Sequence, residues 1–377
     1  AYELRLSLVG SEMCIRDSGP VTSLDRSNEY QLNQSYFYLE KATKTDECKE
    51  WDLGGRIDLL YGTNYRWTTS AGFEDTWDGN TDRSFYGLAI PQLYAEVAYK
   101  DTKTKIGHFY SPVGYFVVDT TQNFFNTLPY TFQYGEPFTH WGFLTSAPVS
   151  DRLDASAGLI AGWDNLDGSG AGSDSVGFLG TLTYKISDDT TLAYVGIVSN
   201  EFNNNFSGVG DRMSTRYLQT LVLQTKVNEC VRYVLQSDFG TQNDTNDFSG
   251  TRDIGTARWY GINQYLFYKQ NKCWEWGINA EWFRDEGGFR VGSVLPTLTT
   301  PGSQVRGLGA DRFGYAGNFY QVTVGPKWTP NDNLFVRPNL RFDWFDGDSN
   351  NPGARQPFDD GNKDTQVILG LDVGITY

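Results

Sequence analysis

The chain has 377 residues and a formal net charge of −15, which argues against anionic nucleic acid as a partner. A mean hydropathy of -0.47, with no apolar run near the roughly 18 residues that a spanning helix needs, excludes a helical membrane protein. With only two histidines, His-based catalysis or metal binding has little support, and no cofactor or metal is predicted. No linker-like stretch divides the chain.

Apolar and polar residues alternate along most of the chain, and this period of two predicts β-strands. Aromatic residues make up 15% of the chain, which is also typical of strands. In chain order, strands are predicted at 30–42, 51–61, 85–100, 103–110, 139–149, 152–163, 175–186, 190–199, 213–227, 230–240, 256–270, 273–285, 315–328, 334–345 and 366–377. These fifteen segments predict an all-β protein.

One face of these strands is apolar and the other is charged. In WDLGGRIDLLY, Leu53 and Leu59 lie opposite Asp52, Arg56 and Asp58. The charged residues assigned to the second face are Asp52, Arg56, Asp58, Glu96, Arg232, Glu275, Glu281, Arg337, Arg341 and Asp343. Because so many charges share one face, that face is expected to contact water.

Short and long connections alternate along the chain. Short ones such as KDTK, VSDR and QNKC take turns with long ones near 62–84, 111–138 and 286–314. Short periplasmic turns opposite long extracellular loops are typical of an antiparallel transmembrane β-barrel. A soluble barrel of about sixteen strands could not fill its interior with side chains. We therefore predict that the apolar face meets lipid and the charged face lines the lumen.

Aromatic residues bracket the apolar stripes, as expected of girdles at the two membrane interfaces. The predicted girdle residues are Tyr61, Tyr99, Trp163, Trp274, Trp328, Trp344 and Tyr377. Taken singly, each is also explained by ordinary strand propensity. On the last apolar stripe, Val373, Ile375 and Tyr377 resemble the C-terminal signal recognised by barrel-assembly machinery.

The long segment 111–138 is too apolar and aromatic for a solvated loop. We predict that it folds into the barrel as the constriction, with Asp119 and Glu136 as acidic lining. Together with basic residues on the wall, these acids would set up a transverse field across the pore. A loop packed over the barrel mouth is an equally open interpretation. His108 and His140, which flank the segment, are interpreted as rim residues.

Four cysteines are present, and Cys48, Cys230 and Cys273 each lie beside a short turn. A disulfide between Cys230 and Cys273 is one interpretation if the compartment is oxidising. Unpaired small residues at a rim are the favoured interpretation. Cys14 lies in an anomalous N-terminal segment.

Several segments resemble one known family. IGHFYSPVGYFVV, QNFFNTLPYTFQYGEPFTHWGFL, GGRIDLLYGTNYRW and YGLAIPQLYAEVAY are similar to sequences of the OmpL-like β-barrel porins of planctomycete-like bacteria. The resemblance runs from about Gly19 to Tyr377 and is stronger in the first half. It implies a porin of the bacterial outer membrane, and carries no established substrate or catalytic residues.

Residues 1–18 differ from the rest of the chain. Arg5, Glu12 and Arg16 interrupt what would be the apolar core of a signal peptide. LSLVGSEMCIRDS also resembles the translation of a sequencing adapter. We therefore expect residues 1–18 to be non-native and residues 19–377 to form the barrel.

The number of strands gives an independent reason to expect a missing one. Bacterial single-chain barrels have even strand numbers, so a sixteenth strand is expected in the intact protein. In the present chain, either residues 1–10 pair with 366–377 or the barrel has an open seam.

The sequence thus predicts a porin, not an enzyme, that passes small hydrophilic solutes or ions through a water-filled lumen. The alternative is a structural or adhesive barrel with a plugged lumen and partner-binding extracellular loops. A third class, an outer-membrane hydrolase, would require a catalytic Ser or Asp beside His108 or His140. The predicted partners are the outer-membrane bilayer, barrel-assembly machinery and the solutes. The oligomeric state, of which a homotrimer is one option, is not fixed.

The acidic long loops lead to a prediction on ion selectivity. Reconstituted channels in a salt gradient should show a cation preference that shrinks as salt rises, because salt screens the loop charges beyond about 10 Å at 0.1 M. Reversal potentials measure this preference. Anion preference at low salt would show that basic groups of the lumen control permeation instead.

Overall fold

The computed structural model shows a closed barrel. It describes residues 3–13, 20–21, 30–74, 77, 85–166, 176–202, 213–246, 253–292, 314–349, 356–359 and 361–377. The strands are β1 (Glu3–Met13), β2 (Tyr30–Lys41), β3 (Trp51–Gly62), β4 (Gly87–Tyr99), β5 (Thr102–Tyr110), β6 (Thr139–Ser150), β7 (Leu153–Ile160), β8 (Gly177–Ser187), β9 (Thr190–Phe202), β10 (Met213–Lys226), β11 (Val231–Asn246), β12 (Asp253–Lys269), β13 (Trp274–Glu286), β14 (Gly317–Asn331), β15 (Leu334–Gly347) and β16 (Thr365–Thr376).

All neighbouring strands are antiparallel, and each pairs with the strands before and after it in the chain. The fifteen predicted strands are confirmed as β2 to β16. The barrel closes because β1 pairs with β16, with Ser7 opposite Thr376, and with β2, with Leu4 opposite Leu39. Of the two arrangements expected at the seam, the structure has the paired one, and sixteen strands result. That residues 1–18 are non-native stays a prediction.

Apolar side chains project outward from the barrel, as predicted. On β16, Leu369 and Leu371 are exposed, while Ile368 and Asp372 on either side of them are buried. On β8, Leu182 is 46% exposed on the outer face and Leu179 is buried on the inner face. This arrangement suits a surrounding lipid phase and leaves the polar face inside.

The predicted aromatic girdle is largely exposed, with one error. Tyr61, Tyr99, Trp274, Trp328 and Tyr377 are exposed on the outside. Trp344 is half-buried and stacks on Tyr320, with ring centroids 4.7 Å apart. Trp163 is instead buried, and its ring lies 4.6 Å from the Arg216 guanidinium carbon. The prediction for Trp163 was wrong because β7 ends at Ile160. Beyond the end of a strand, side chains no longer alternate between its two faces.

The two rims differ in the lengths of their connections. The short-turn rim carries the connections 100–101, 151–152, 188–189, 227–230, 270–273 and 332–333. The long-loop rim carries the longer ones, including 63–86 with its helix α1 (Tyr65–Thr68), and 111–138 with one π-helical turn (Thr131–Gly135). In the described parts of the chain, no helix is long and apolar enough to cross a membrane.

Much of the buried core lies inside the barrel rather than between layers. Phe116, Phe124, Phe125, Leu128 and Phe132 of segment 111–138 form one cluster with inward residues of β2, β11 and β12. A second cluster joins Tyr130 and Tyr134 to inward rings of β12, β13 and β14. Segment 111–138 therefore supplies the apolar filling of the barrel interior.

The connection 63–86 packs partly against the outside of the barrel. Phe73 lies edge-on to the Trp141 ring at 5.0 Å, and Trp141 stacks on His108 at 4.7 Å. Trp141 Nε1 donates to Ser70 Oγ at 3.0 Å. This cover explains how His108 occupies an outward position of β5 and is still fully buried.

Two adjacent residues of β8 test which face meets lipid. Leu182 points outward and Thr183 inward, and both are exposed near the middle of the strand. Leu182→Arg should lower the free energy of unfolding in bilayers by about 2–4 kcal/mol, since it places a charge in hydrocarbon. Thr183→Arg should cost far less because its side chain meets water. Equal losses in denaturant titrations would contradict this assignment of faces.

Candidate functional site: the barrel lumen and segment 111–138

Segment 111–138 leaves β5 at the long-loop rim, enters the barrel and returns to β6. Every residue from 123 to 138 is buried. At its two ends, His140 Nε2 lies 3.0 Å from Ser111 Oγ, and His140 Nδ1 lies 2.9 Å from the Gly162 carbonyl. The Asp164 carboxylate accepts hydrogen bonds from the backbone N–H groups of Phe138 and Thr139. These contacts tie the entrance and exit of the segment together.

Arg337 of β15 binds the segment from the lumen wall. Its guanidinium pairs with Asp372 of β16 at 2.6 Å. The Nη1 atom donates to the carbonyl oxygens of Thr120 at 2.8 Å and Asn123 at 2.7 Å. Both ionic side chains are 1% exposed. The charge is therefore neutralised by a strand carboxylate while the free edge of the guanidinium satisfies two peptide carbonyls.

Arg341 repeats this arrangement four residues further along β15. Its guanidinium pairs with Asp343 at 2.7 Å and donates to the Leu128 carbonyl at 2.7 Å. Tyr130 donates its hydroxyl to Asp343 at 2.9 Å. Burial raises the pKa of this hydroxyl well above its usual value, so it keeps its proton as a donor.

Glu281 of β13 receives the π-helical turn. Its two carboxylate oxygens accept the backbone N–H groups of Tyr130 at 2.8 Å and Thr131 at 2.6 Å. At the end of the turn, the Gly135 carbonyl accepts from Trp259 Nε1 at 3.0 Å. The turn is thus fixed at both ends by lumen-facing side chains, which satisfy three of its backbone groups.

Glycines of the wall make room for aromatic rings inside the barrel. A Cβ at Gly277 on β13 would meet the ring of Phe124, and a Cβ at Gly240 on β11 would meet the ring of Trp259. Both positions lie on the inward phase of their strands. The absence of a side chain is required there by close approach.

Asp119 and Glu136, the predicted acidic lining, are both buried. Asp119 accepts from Thr121 and Gln122 and so caps a turn within the segment. Glu136 accepts from Gln236 of β11, whose Nε2 also donates to Asp238 at 2.8 Å. Neither acid pairs with an arginine of β15. The predicted transverse field assumed acids and arginines that face water. Asp119, Glu136, Arg337 and Arg341 are instead buried, and Arg56 and Arg232 are at least partly exposed.

The β2–β4 wall carries a further network, which is partly buried. Arg56 pairs with Asp58 at 2.6 Å and with Glu40 at 3.2 Å. Asp58 also accepts from Tyr36 and Gln92. Glu96 lies nearby on β4 and is buried.

The remaining predicted lining residues lie at the short-turn rim. Asp52 pairs with Lys49 at 2.6 Å, and Arg232 pairs with Glu275 at 2.7 Å. Of the candidate residues, Asp52, Arg56, Arg232 and Glu275 are at least partly exposed, whereas Asp58, Glu96, Asp119, Glu136, Glu281, Arg337, Arg341 and Asp343 are buried. Most candidates therefore hold the interior together.

The inner wall that meets water lies mainly elsewhere. Asp154 of β7 and Thr183 and Lys185 of β8 are exposed on the inward phase of their strands, and Ser156 and Thr181 are half-buried. Sequence reasoning overlooked Thr181 and Thr183 because it searched the polar face for charge. Alternation alone could have placed these hydroxyls in the lumen.

Removing the Arg337 charge should loosen segment 111–138. We expect Arg337→Gln to lower the free energy of unfolding by about 3–5 kcal/mol, because it leaves Asp372 buried without its counter-charge. Hydrogen exchange in residues 118–124 should accelerate. Arg258→Gln is the matched control, since Arg258 is 53% exposed and only 3.6 Å from Glu286. Wild-type exchange rates in Arg337→Gln would show that Arg337 does not hold the segment.

Solved structures share the fold over the whole chain. The outer membrane channel DcaP of Acinetobacter baumannii is 12% identical, with a TM-score of 0.60, covering 100% of this chain and 97% of that one. The anion-selective porin from Comamonas acidovorans is 10% identical, with a TM-score of 0.61 and coverage of 100% and 99%. OmpT of Vibrio cholerae, in trimer form, is 10% identical, with a TM-score of 0.61 and coverage of 100% of this chain and 99% of that one.

No curated protein sequence matches the chain. Residues 12–377 match the family described as "Putative beta-barrel porin-2, OmpL-like". The match covers nearly the whole chain, including β2 to β16 and segment 111–138. The chain therefore belongs to this family of outer-membrane β-barrel porins.

Proposed function

We propose that the chain is a diffusion channel that passes small hydrophilic solutes or ions across the outer membrane, with segment 111–138 as its constriction. The observation that carries the proposal is the exposed inward wall of β7 and β8, where Asp154, Thr183 and Lys185 meet water inside a barrel otherwise filled by the segment. Hydroxyl and charged groups there keep the passage wet.

The proposed passage runs between the inward segment and the wall formed by β6 to β9. On this side, Ser146 and Ser156 share a hydrogen bond of 2.8 Å and face the lumen. The opposite wall, from β11 to β16, is occupied by the segment through Gln236, Glu281, Arg337 and Arg341. The segment would thus narrow the channel from one side, and residues on β7 and β8 would line what is left.

The porin family is not one of enzymes, and we propose that this chain performs no chemistry of its own. His140 does lie beside Ser111, which is the kind of neighbour that a hydrolase would need. However, His140 is fully buried and its other ring nitrogen is held by a backbone carbonyl. The pair is better explained as a fastening between the ends of segment 111–138.

Assembly in the outer membrane is a further part of the proposal. Val373, Ile375 and Tyr377 share the outward face of β16, and Tyr377 is 71% exposed at its end. This placement supports recognition by barrel-assembly machinery. A homotrimer is also proposed, with the trimeric OmpT as a structural precedent.

A plugged structural or adhesive barrel is the second candidate, favoured by the complete burial of residues 123–138. Planar-bilayer recordings separate the two functions. Discrete open steps support the channel, whereas a folded but silent barrel supports the plugged alternative.

Cysteine substitution locates the passage. In a background with all four native cysteines replaced by serine, Thr183→Cys should become sensitive to a bulky water-soluble thiol reagent, which should lower the single-channel current. Leu182→Cys, one residue away on the lipid-facing side, should not respond. Current unchanged in both variants, despite labelling of Thr183→Cys, would place the conducting path away from β8.

A further inference from the structure

A pocket of about 510 Å³ opens at the short-turn rim, between the ends of β10 to β14. Five basic side chains line it, namely Lys226, Arg232, Lys269, Lys272 and Lys327, together with the two acids Glu229 and Glu275. The lining thus has three positive charges in excess, in a chain whose net charge is −15. The packing of the barrel does not explain why this pocket is positively charged in a negatively charged chain.

The two acids of the pocket are already engaged. Lys226 lies 2.9 Å from Glu229, and its hydrogen bond lowers the pKa of that carboxyl. Arg232 lies 2.7 Å from Glu275. In the part of the chain that the structure describes, Lys269, Lys272 and Lys327 have no carboxylate within 4 Å. The three excess charges are these lysines.

The pocket lies on the inside of the barrel wall. Lys226, Arg232, Lys269 and Lys327 continue the inward phases of β10, β11, β12 and β14. The next inward residue is buried on β11, β12 and β14 and exposed on β10. The Arg232 guanidinium lies 4.8 Å from the Phe267 ring, and Lys327 Nζ lies 4.8 Å from the Phe335 ring. Tyr115 of segment 111–138 packs on Tyr265 beneath them. Aromatic rings thus contact two of the five cations, Arg232 and Lys327.

We propose that this pocket binds small multivalent oxyanions, such as phosphate esters or di- and tricarboxylates, at the short-turn mouth of the channel. Three ammonium groups that converge on one concavity repel each other, and an anion bearing two or more negative charges relieves that repulsion. The volume suits a small molecule. As a binding site the pocket requires only the folded barrel, whereas its part in permeation rests on the proposed channel function.

The chain contains its own reporters for this site. Cys230 and Cys273 line the pocket, and Cys230 is an exposed free thiol. Cys48 is also an exposed free thiol, on the 42–50 connection outside the pocket. Variants of the full chain that retain only Cys230 or only Cys48 can be treated with a sulfonate-bearing and with a trimethylammonium-bearing methanethiosulfonate.

At Cys230 the anionic reagent should react about tenfold faster than the cationic one, because the lysines concentrate anions there. Inorganic pyrophosphate should slow the anionic reagent at Cys230 and leave Cys48 unaffected. Lys269→Gln with Lys327→Gln should remove most of the charge preference at Cys230. Lys100→Gln is the matched control, since Lys100 is exposed on the same rim and pairs with Glu50 at 3.4 Å.

The proposal is overturned if Cys230 shows no preference for the anionic reagent, or if pyrophosphate gives no protection. It is also overturned if the preference survives loss of both lysines. Because thiol reaction rates do not require conduction, a silent barrel with a charge-selective Cys230 would reject the channel and keep the site. A conducting barrel in which Cys230 shows no charge selectivity would reject the anion site and keep the channel.

Discussion

Closure of the backbone hydrogen-bond ladder is the constraint on which the rest of this structure depends. In hydrocarbon, an unpaired N–H or C=O group costs several kcal/mol, and only a closed barrel pairs all of them with strands alone. The pairing of β1 with both β2 and β16 completes the ring. In a closed ring, side chains alternate between the two faces of each strand. Apolar side chains therefore face outward, and the polar strand residues form their hydrogen bonds and ion pairs inside.

The interior of the barrel follows from that requirement. Buried polar groups must be hydrogen-bonded, and a lumen lined by Arg337, Arg341 and Glu281 cannot be packed with apolar side chains alone. Segment 111–138 meets both needs, since its peptide groups bind these ionic side chains while its aromatic rings fill the space between them. The glycines at 240 and 277 complete the fit by leaving space for two rings. Shape and polarity of the segment are thus matched to one half of the wall.

Much of the fold could be predicted because the alternation of apolar and polar residues is a local property of the sequence. Alternation located β2 to β16 and the outward face. The aromatic content of segment 111–138 predicted that it was packed against protein, either inside the barrel or over its mouth. Burial of the lumen side chains could not be predicted, because it depends on the path of the segment across the barrel. Asp58 and Arg232 look alike in an alternating pattern, yet one is buried in a network and the other half-exposed at a rim. The prediction that Trp163 belongs to the exposed aromatic girdle was wrong for a related reason, since Trp163 lies past the end of its strand.

The pairing of the buried charges bears on how this channel could select among ions. Arg337 with Asp372 and Arg341 with Asp343 are neutral pairs with charges less than 3 Å apart, so from the open side of the lumen each acts as a dipole whose field falls off steeply. Lysines without a carboxylate partner act instead as full charges over about a Debye length. Among the described residues, such groups lie at the short-turn rim, whereas the sequence places much of the acidic excess in the long loops. We therefore expect ion selectivity in this barrel to depend on the exposed charges at its two mouths more than on the arginines at its centre.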